Sequence, residues 1–213
     1  MGRFGGRECG IAKKGPGGIV GGMSKELKIE TYGAEVLREV ARPVAEVTEE
    51  LRKLAGNMIL TMHRANGVGL AAQQVGRTEA VCVIDVPADY DVEKKGGPRL
   101  NPDVEMPLVM FNPVITEASE DETSTMEEGC LSFPGINGQV ERPWRVKVRH
   151  LDLQGKERVV ELQGYFARAA QHEIDHLNGK LFVDRFNYVK KLAVRGKLAW
   201  LKADTLAGRA GEP

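Results

Sequence analysis

The sequence predicts an α+β protein in which a mainly antiparallel β-sheet packs around a central helix, with a further helix near the C-terminus. Two observations support this class. Apolar residues recur at helical spacing in long segments, and apolar β-branched runs are bounded by turn residues. Because the strands come largely as hairpins, one of them turning at Gln154–Gly155, and do not alternate with helices, we expect the sheet to be antiparallel.

Three helices are predicted. The first covers residues 48–66, and Thr48 is a suitable N-cap for it. The second covers residues 164–178 and should stop at Gly179, and the third covers residues 188–202. The apolar residues at helical spacing in the first helix are Leu51, Leu54, Met58, Met62 and Ala65.

Strands are predicted where β-branched and apolar residues cluster. Residues 80–86 and 108–115 have this composition, and residues 144–162 alternate apolar and polar side chains on both sides of a turn. The segment 90–107 is polar and rich in glycine and proline, which is typical of a loop.

Composition excludes several function classes. The 213 residues suit one domain, and 30 basic residues balance 30 acidic ones, so no global field attracts DNA or an anionic membrane. No apolar run reaches the roughly eighteen residues of a spanning helix. Three scattered cysteines are too few for a disulfide framework and indicate a reducing compartment.

The chain is predicted to have three parts. Residues 1–22 include nine glycines and no apolar periodicity, so we expect a disordered extension. We expect residues 23–203 to form one folded domain and residues 204–213 to form a flexible tail.

The central helix carries a candidate metal site. His172 and His176 are four residues apart, and Glu173 directly follows the first of them. In a helix both imidazoles lie on one face and can bind one ion, while the carboxylate beside them can take a proton from a metal-bound water. The alternative is a solvated amphipathic helix with two histidines by chance. Because the chain has only four histidines, this spacing favours the metal site.

A third ligand is expected upstream of the histidines. Zincin proteases take it from downstream, but Phe182 stands where their longer pattern has a histidine. Cys130, at the end of a candidate strand, would complete a Cys-His-His set with one position open for water. A lone cysteine is also often a small buried apolar residue. A zincin-type metallopeptidase therefore stays as the alternative. The downstream carboxylates without helical or strand context are Asp184, Asp204 and Glu212.

Three motifs in order resemble those of the peptide deformylase family. They are "GVGLAAQQ" at residues 67–74, "EGCLS" at residues 128–132 and "QHEIDHL" at residues 171–177. The resemblance covers residues 27–202. It implies a metal-dependent hydrolase that removes the N-formyl group from the initiator methionine of new polypeptides and releases formate.

The resemblance also implies a role for individual residues. Glu173 would be the general base, and Gln74 and the backbone N–H of Leu131 would stabilise the oxyanion. The metal ligands would be Cys130, His172 and His176, and the substrate-binding residues would be Gly69, Val68, Tyr165 and Ala169. Gly69 has no side chain, so an extended peptide could pair with its backbone as an added strand. Gln171 and Asp175 fit outer-shell partners and helix-surface residues equally well.

The cofactor and partners follow from the same resemblance. We expect one ferrous ion (Fe2+), for which Zn2+, Ni2+ or Co2+ can substitute, because the ligand set alone suits several first-row metals. The expected partners are N-formylmethionyl nascent peptides, with a transient ribosome contact and neither DNA nor membrane. We expect a monomer in a bacterial-type cytoplasm, and organellar import stays open.

Overall fold

The computed structural model describes residues 24–94 and 96–209, so the predicted extension at residues 1–22 lies outside the described residues. In chain order the helices and strands are α1 (Glu49–Arg64), β1 (Gly69–Ala71), β2 (Val81–Ile84), β3 (Leu108–Ala118), β4 (Thr123–Gly129), β5 (Asn137–Pro143), β6 (Arg145–Leu151), β7 (Glu157–Gln163), α2 (Gly164–Leu177) and α3 (Tyr188–Leu206).

The strands form two antiparallel sheets. One has five strands in the order β1-β2-β3-β6-β7, and the other consists of β4 and β5 alone. This arrangement confirms the predicted α+β class with antiparallel pairing. Strand β1 lies at an edge of the larger sheet, so one side of its backbone is not paired within that sheet.

Helices α1 and α2 pack on opposite faces of the larger sheet. Cys82 and Ile84 of β2 belong to the apolar cluster that contains α2, whereas Val81 and Val83 belong to the cluster that contains α1. The alternation follows from the two-residue period of a strand. Helix α2 is central, since 13 of its 14 residues are buried.

The helix signals in the sequence are confirmed. The Thr48 hydroxyl accepts a hydrogen bond from the Leu51 N–H at 3.3 Å, as expected of an N-cap. Beyond α2, Gly179 has a φ of +66°, and a Cβ there would lie 2.5 Å from the Arg38 carbonyl oxygen. Only glycine fits this helix end without displacing the neighbouring chain.

The sequence predicted that a strand ends at Cys130 but gave no bounds for β4, and β5 is not among the predicted strands. In β4 the only large apolar side chain is that of Met126, and its other residues are mainly threonine and glutamate. The strand forms because it pairs along its whole length with β5, from Thr123 opposite Pro143 to Gly129 opposite Asn137. Such pairing depends on a partner strand and leaves no apolar alternation in the sequence.

The C-terminal helix is longer than predicted. Helix α3 continues four residues past Lys202, so Asp204–Leu206 are helical and the start of the predicted tail at residues 204–213 is corrected. The Thr205 hydroxyl explains the extension, because it donates to the Leu201 carbonyl at 2.9 Å and lies 2.6 Å from the Thr31 hydroxyl. Residues 210–213 lie outside the described residues.

Candidate metal centre

Two separate elements bring the three predicted metal ligands together. Strand β4 ends at Gly129 and places Cys130 beside α2, which carries His172 and His176. One donor atom of each residue lies within 4.8 Å of the others, and Cys130 Sγ is 3.3 Å from His176 Nε2. A thiolate and two imidazoles suit a divalent first-row metal, so these residues could hold one ion.

Burial rules out the alternative of a solvated helix. His172 is 9% exposed and His176 is 1% exposed. The Nδ1 atom of His176 is buried and has no hydrogen-bond partner among the described residues. Two buried imidazoles beside a thiol are costly unless something binds them, which is consistent with a metal centre.

Glu128 fixes the orientation of His172, a role that the sequence did not reveal. The His172 Nδ1–H donates to Glu128 Oε2 at 3.0 Å, which leaves Nε2 as the nitrogen available to an ion. Glu128 lies two residues before Cys130, so the same strand end supplies a ligand and the carboxylate that orients another. The only sequence signal was a glutamate beside the candidate ligand.

Arginine side chains keep the Glu128 carboxylate ionised. Arg142 Nε and Nη2 donate to it at 2.6 and 2.9 Å. Burial alone would raise the pKa of Glu128, but the hydrogen bonds from His172 and Arg142 outweigh it and hold this pKa well below its usual range. Arg142 also donates to Asp175 at 2.7 Å, which makes Asp175 a partner of this network and not a free surface residue.

The two histidines differ in proton affinity. Burial lowers the pKa of His172, but its interactions with Cys130 and Glu128 outweigh burial and raise the pKa to about 10. Burial, together with the neighbouring His172 charge, lowers the pKa of His176 well below its usual value. An imidazole binds a metal in its neutral form, so we expect metal binding at this site to depend on pH.

The Glu173 side chain lies against strand β1, next to the three candidate ligands. The residue is 4% exposed, and its Oε2 atom has no hydrogen-bond partner within the described chain. Burial raises the pKa of Glu173 to about 7, although the charges of His172 and Arg142 oppose this shift. A Cβ on Gly69 of β1 would lie 2.3 Å from Glu173 Oε1. Glycine therefore leaves room for this carboxylate.

Gln74 and Leu131 both lie next to Cys130. The Gln74 side-chain N–H donates to Cys130 Sγ and to the Ser132 hydroxyl, each at 3.3 Å, and its Oε1 accepts from the Ala71 N–H at 2.8 Å. These bonds hold a buried amide donor beside the candidate ligand. Leu131 directly follows Cys130 in the chain.

The residues predicted for substrate binding share one apolar cluster. Ala169 of α2 is buried in it, and Val68 and Tyr165 pack against it. The rings of Tyr165 and Tyr90 stand 5.4 Å apart between centroids, so the loop after β2 reaches the start of α2. Ala71 of β1 belongs to the same cluster, so these side chains pack in the part of the core that adjoins β1.

Among the described residues, no downstream carboxylate of the kind that a zincin uses joins the candidate ligands, and Glu212 lies outside the described residues. Asp184 instead accepts from both terminal nitrogens of Arg38, at 2.5 and 2.9 Å, and from the Leu181 N–H at 2.9 Å. Within residues 24–94 and 96–209, the third donor beside the histidines is the upstream Cys130.

Known proteins resemble this chain over most of its length. The family model of polypeptide deformylase matches residues 26–192. A peptide deformylase of Salinibacter ruber is 46% identical over 81% of this chain and 86% of its own. The crystal structure of the Ehrlichia chaffeensis peptide deformylase superposes with a TM-score of 0.74, at 36% identity, covering 85% of this chain and 99% of that one.

A solved complex adds a peptide-bound relative. The class I type B peptide deformylase of Acinetobacter baumannii with Met-Ala-Ser bound has a TM-score of 0.68 and 41% identity, covering 77% of this chain and 100% of that one. The match of the family model, the similar chains and the Cys130-His172-His176 cluster agree with one another. The chain belongs to the polypeptide deformylase family, whose members are hydrolases that remove N-formyl groups.

Proposed function

We propose that this protein is a metal-dependent hydrolase that removes the formyl group from the initiator methionine of new polypeptides and releases formate. The observation that carries the proposal is the cluster of the half-buried Cys130 with the buried His172 and His176. Beside it lies Glu173, whose Oε2 atom has no hydrogen-bond partner among the described residues. A structural metal site would close the shell with a fourth protein ligand and would not need that carboxylate.

The proposed chemistry assigns one task to each group. When bound, the ion acts as a Lewis acid and lowers the pKa of a water. Glu173 accepts the proton of that water and then passes it to the departing amine. The side-chain N–H of Gln74 and the backbone N–H of Leu131 stabilise the negative charge that develops on the formyl oxygen. The hydrogen bond from Gln74 to Cys130 supports this placement of the amide.

The proposed substrate is an extended peptide that pairs with β1. The outer edge of β1 is free within the sheet, and Gly69 lies there beside Glu173. The methionine side chain would contact the apolar cluster of Val68, Tyr165 and Ala169, since a thioether adapts well to an apolar wall. The Met-Ala-Ser peptide bound to the Acinetobacter baumannii relative supports this choice.

Formate release tests the activity and the substrate together. We expect formyl-Met-Ala-Ser to react about 100-fold more efficiently than formyl-Asp-Ala-Ser, because an apolar wall cannot solvate a carboxylate. The measurement is kcat/KM for formate release under anaerobic conditions. Unformylated Met-Ala-Ser is the control, and release of free methionine from it would favour a metallopeptidase. Equal rates for the two formyl peptides would contradict the proposed pocket.

We propose ferrous iron as the native metal. The donor set also suits Zn2+, and Ni2+ or Co2+ should substitute. With Fe2+ we expect activity to decay in air, since oxygen can reach an open coordination position and oxidise the Cys130 thiolate. The measurement is formate release over several hours, with and without oxygen, from protein loaded with each metal. Equal oxygen sensitivity of the iron and nickel forms would contradict the assignment of iron.

We also propose that the protein acts as a monomer in the cytoplasm, with a transient contact to the ribosome. Its substrate is a nascent chain, and α3 presents the exposed side chains of Tyr188, Leu192 and Trp200 at four- and eight-residue spacing beside several lysines. No helix within the described part of the chain is long and apolar enough to cross a membrane. We expect the protein to sediment with ribosomes in a salt-dependent manner. The Trp200→Ser variant should sediment with them less.

A further inference from the structure

The three candidate ligands belong to two structural units that share no sheet. Cys130 follows β4, whose only strand partner is β5, whereas His172 and His176 lie on the helix that packs against the five-stranded sheet. Backbone hydrogen bonds from the Ser119 N–H to the Arg145 carbonyl and from the Trp144 N–H to the Glu122 carbonyl join the two sheets where β3 meets β4 and β5 meets β6. Side chains of α2 tie the helix to β4 and β5, so the distance between the thiol and the imidazoles depends on those side chains as well.

Arg168 is the side chain with the most extensive crossing contacts. Its Nη2 donates to the carbonyl and the hydroxyl of Ser124 in β4, at 2.5 and 2.9 Å. Its Nη1 donates to the Val140 carbonyl in β5 at 2.9 Å and to Glu128 Oε1 at 2.5 Å. One guanidinium thus binds both strands of the small sheet and the carboxylate that orients His172.

The position of Arg168 on the helix suits this task. It lies four residues before His172 and eight before His176, so the three side chains share one stripe of α2. Arg168 is only 3% exposed, which keeps water from competing for its hydrogen bonds. The planar fork of an arginine can bind several acceptors in fixed directions, whereas a lysine ammonium is a point charge on a flexible stem.

We propose that Arg168 is a positioning residue that sets the place of Cys130 relative to the two histidines and so controls how tightly the ion is held. Among the described residues it forms no hydrogen bond with a donor atom of the site, and it acts through β4, β5 and Glu128. The inference rests on the proposed function only in that the site binds a metal. It does not depend on which substrate is hydrolysed.

Removal of the Arg168 side chain should destabilise the fold less than removal of the Arg142 side chain. Without Arg168, the Glu128 carboxylate still accepts from Arg142 and His172. Gln171 also still donates to the Pro143 carbonyl of β5 at 2.9 Å. Arg142 by contrast pairs with both Glu128 and Asp175, so its loss would leave two buried carboxylates short of a partner.

The test compares Arg168→Met with wild-type protein, both loaded with Co2+. We expect the ion to transfer to a chelator roughly 10- to 100-fold faster from the variant, as is typical when an outer-shell partner of a metal site is lost. The thiolate-to-cobalt absorption band should also shift, because the Cys130 sulfur is displaced. Near-unchanged transfer rate and spectrum in folded Arg168→Met protein would overturn the proposal.

Two further variants make the result specific. Arg185→Met is the matched control, since Arg185 also binds α2, through Asp175 at 2.7 and 2.8 Å, but its side chain forms no hydrogen bond with β4 or β5 in the described part of the chain. It should keep the wild-type transfer rate. Arg168→Lys retains the charge and should transfer Co2+ at an intermediate rate. If Arg168→Met does not fold, the test passes to Arg168→Lys. A wild-type rate of Co2+ transfer and a wild-type cobalt spectrum in Arg168→Lys would then overturn the proposal.

The readout separates this inference from the deformylase proposal. Chelator transfer and the cobalt spectrum need no substrate. Wild-type protein that binds Co2+ but releases no formate would contradict the proposed activity and leave the role of Arg168 standing. Wild-type protein that binds no Co2+ would overturn both.

Discussion

Glu173→Ala is expected to lower formate release by about 100- to 10,000-fold, the usual contribution of a general acid–base residue, while bound metal stays close to one equivalent. The physical reason is that Glu173 lies beside the three donors without belonging to the donor cluster. Its carboxylate is buried, and one oxygen has no protein partner among residues 24–94 and 96–209. Replacement by alanine removes the proton acceptor and leaves the ligands in place. The measurements are kcat and the metal content of the purified variant.

His176→Ala is the comparison for that experiment. It removes a donor, so we expect loss of both metal and activity. Glu173→Gln keeps the shape of the side chain but cannot accept the proton, and its activity should be as low as that of Glu173→Ala. If Glu173→Ala lost as much metal as His176→Ala, Glu173 would be part of the metal shell and not the base.

Gly69→Ala is expected to have the second largest effect, a loss of activity on the order of 100-fold, which a displacement of about 1 Å at a catalytic group can cause. The added Cβ would lie 2.3 Å from Glu173 Oε1 and 2.8 Å from its Cδ, so the carboxylate must move. The ligands Cys130, His172 and His176 are not displaced directly. We therefore expect kcat to fall while metal content is retained.

Gly196→Ala is the matched control for Gly69→Ala. Gly196 lies in α3, and a Cβ there would meet no atom within 4 Å. We expect unchanged activity and a gain in unfolding free energy of about 0.8–1 kcal/mol, because alanine is the better helix former. Full activity of Gly69→Ala, with the control behaving as expected, would show that Glu173 does not need the space that glycine leaves.

The sequence by itself determined the helix that carries the candidate site and the candidate donors on it. The spacing of His172, Glu173 and His176 is a local property, because a helix places every fourth residue on one face whatever surrounds it. The Thr48 cap and the Gly179 stop are equally local, and both are found where the sequence predicted them. The three motifs resemble those of the family, and that resemblance implied Cys130 as the third candidate ligand.

Only the tertiary structure decided what supports those ligands. Glu128 lies 44 residues from His172, and Arg168 lies 28 residues from Val140, so none of these bonds leaves a periodic pattern in the sequence. The bounds of β4 and the whole of β5 were missed for the same reason, because polar strands are specified by the partner they pair with. The extension of α3 through Leu206 likewise depends on the contact between Thr205 and Thr31. Local geometry places the donors on their elements, and buried long-range polar contacts bring those elements to one point.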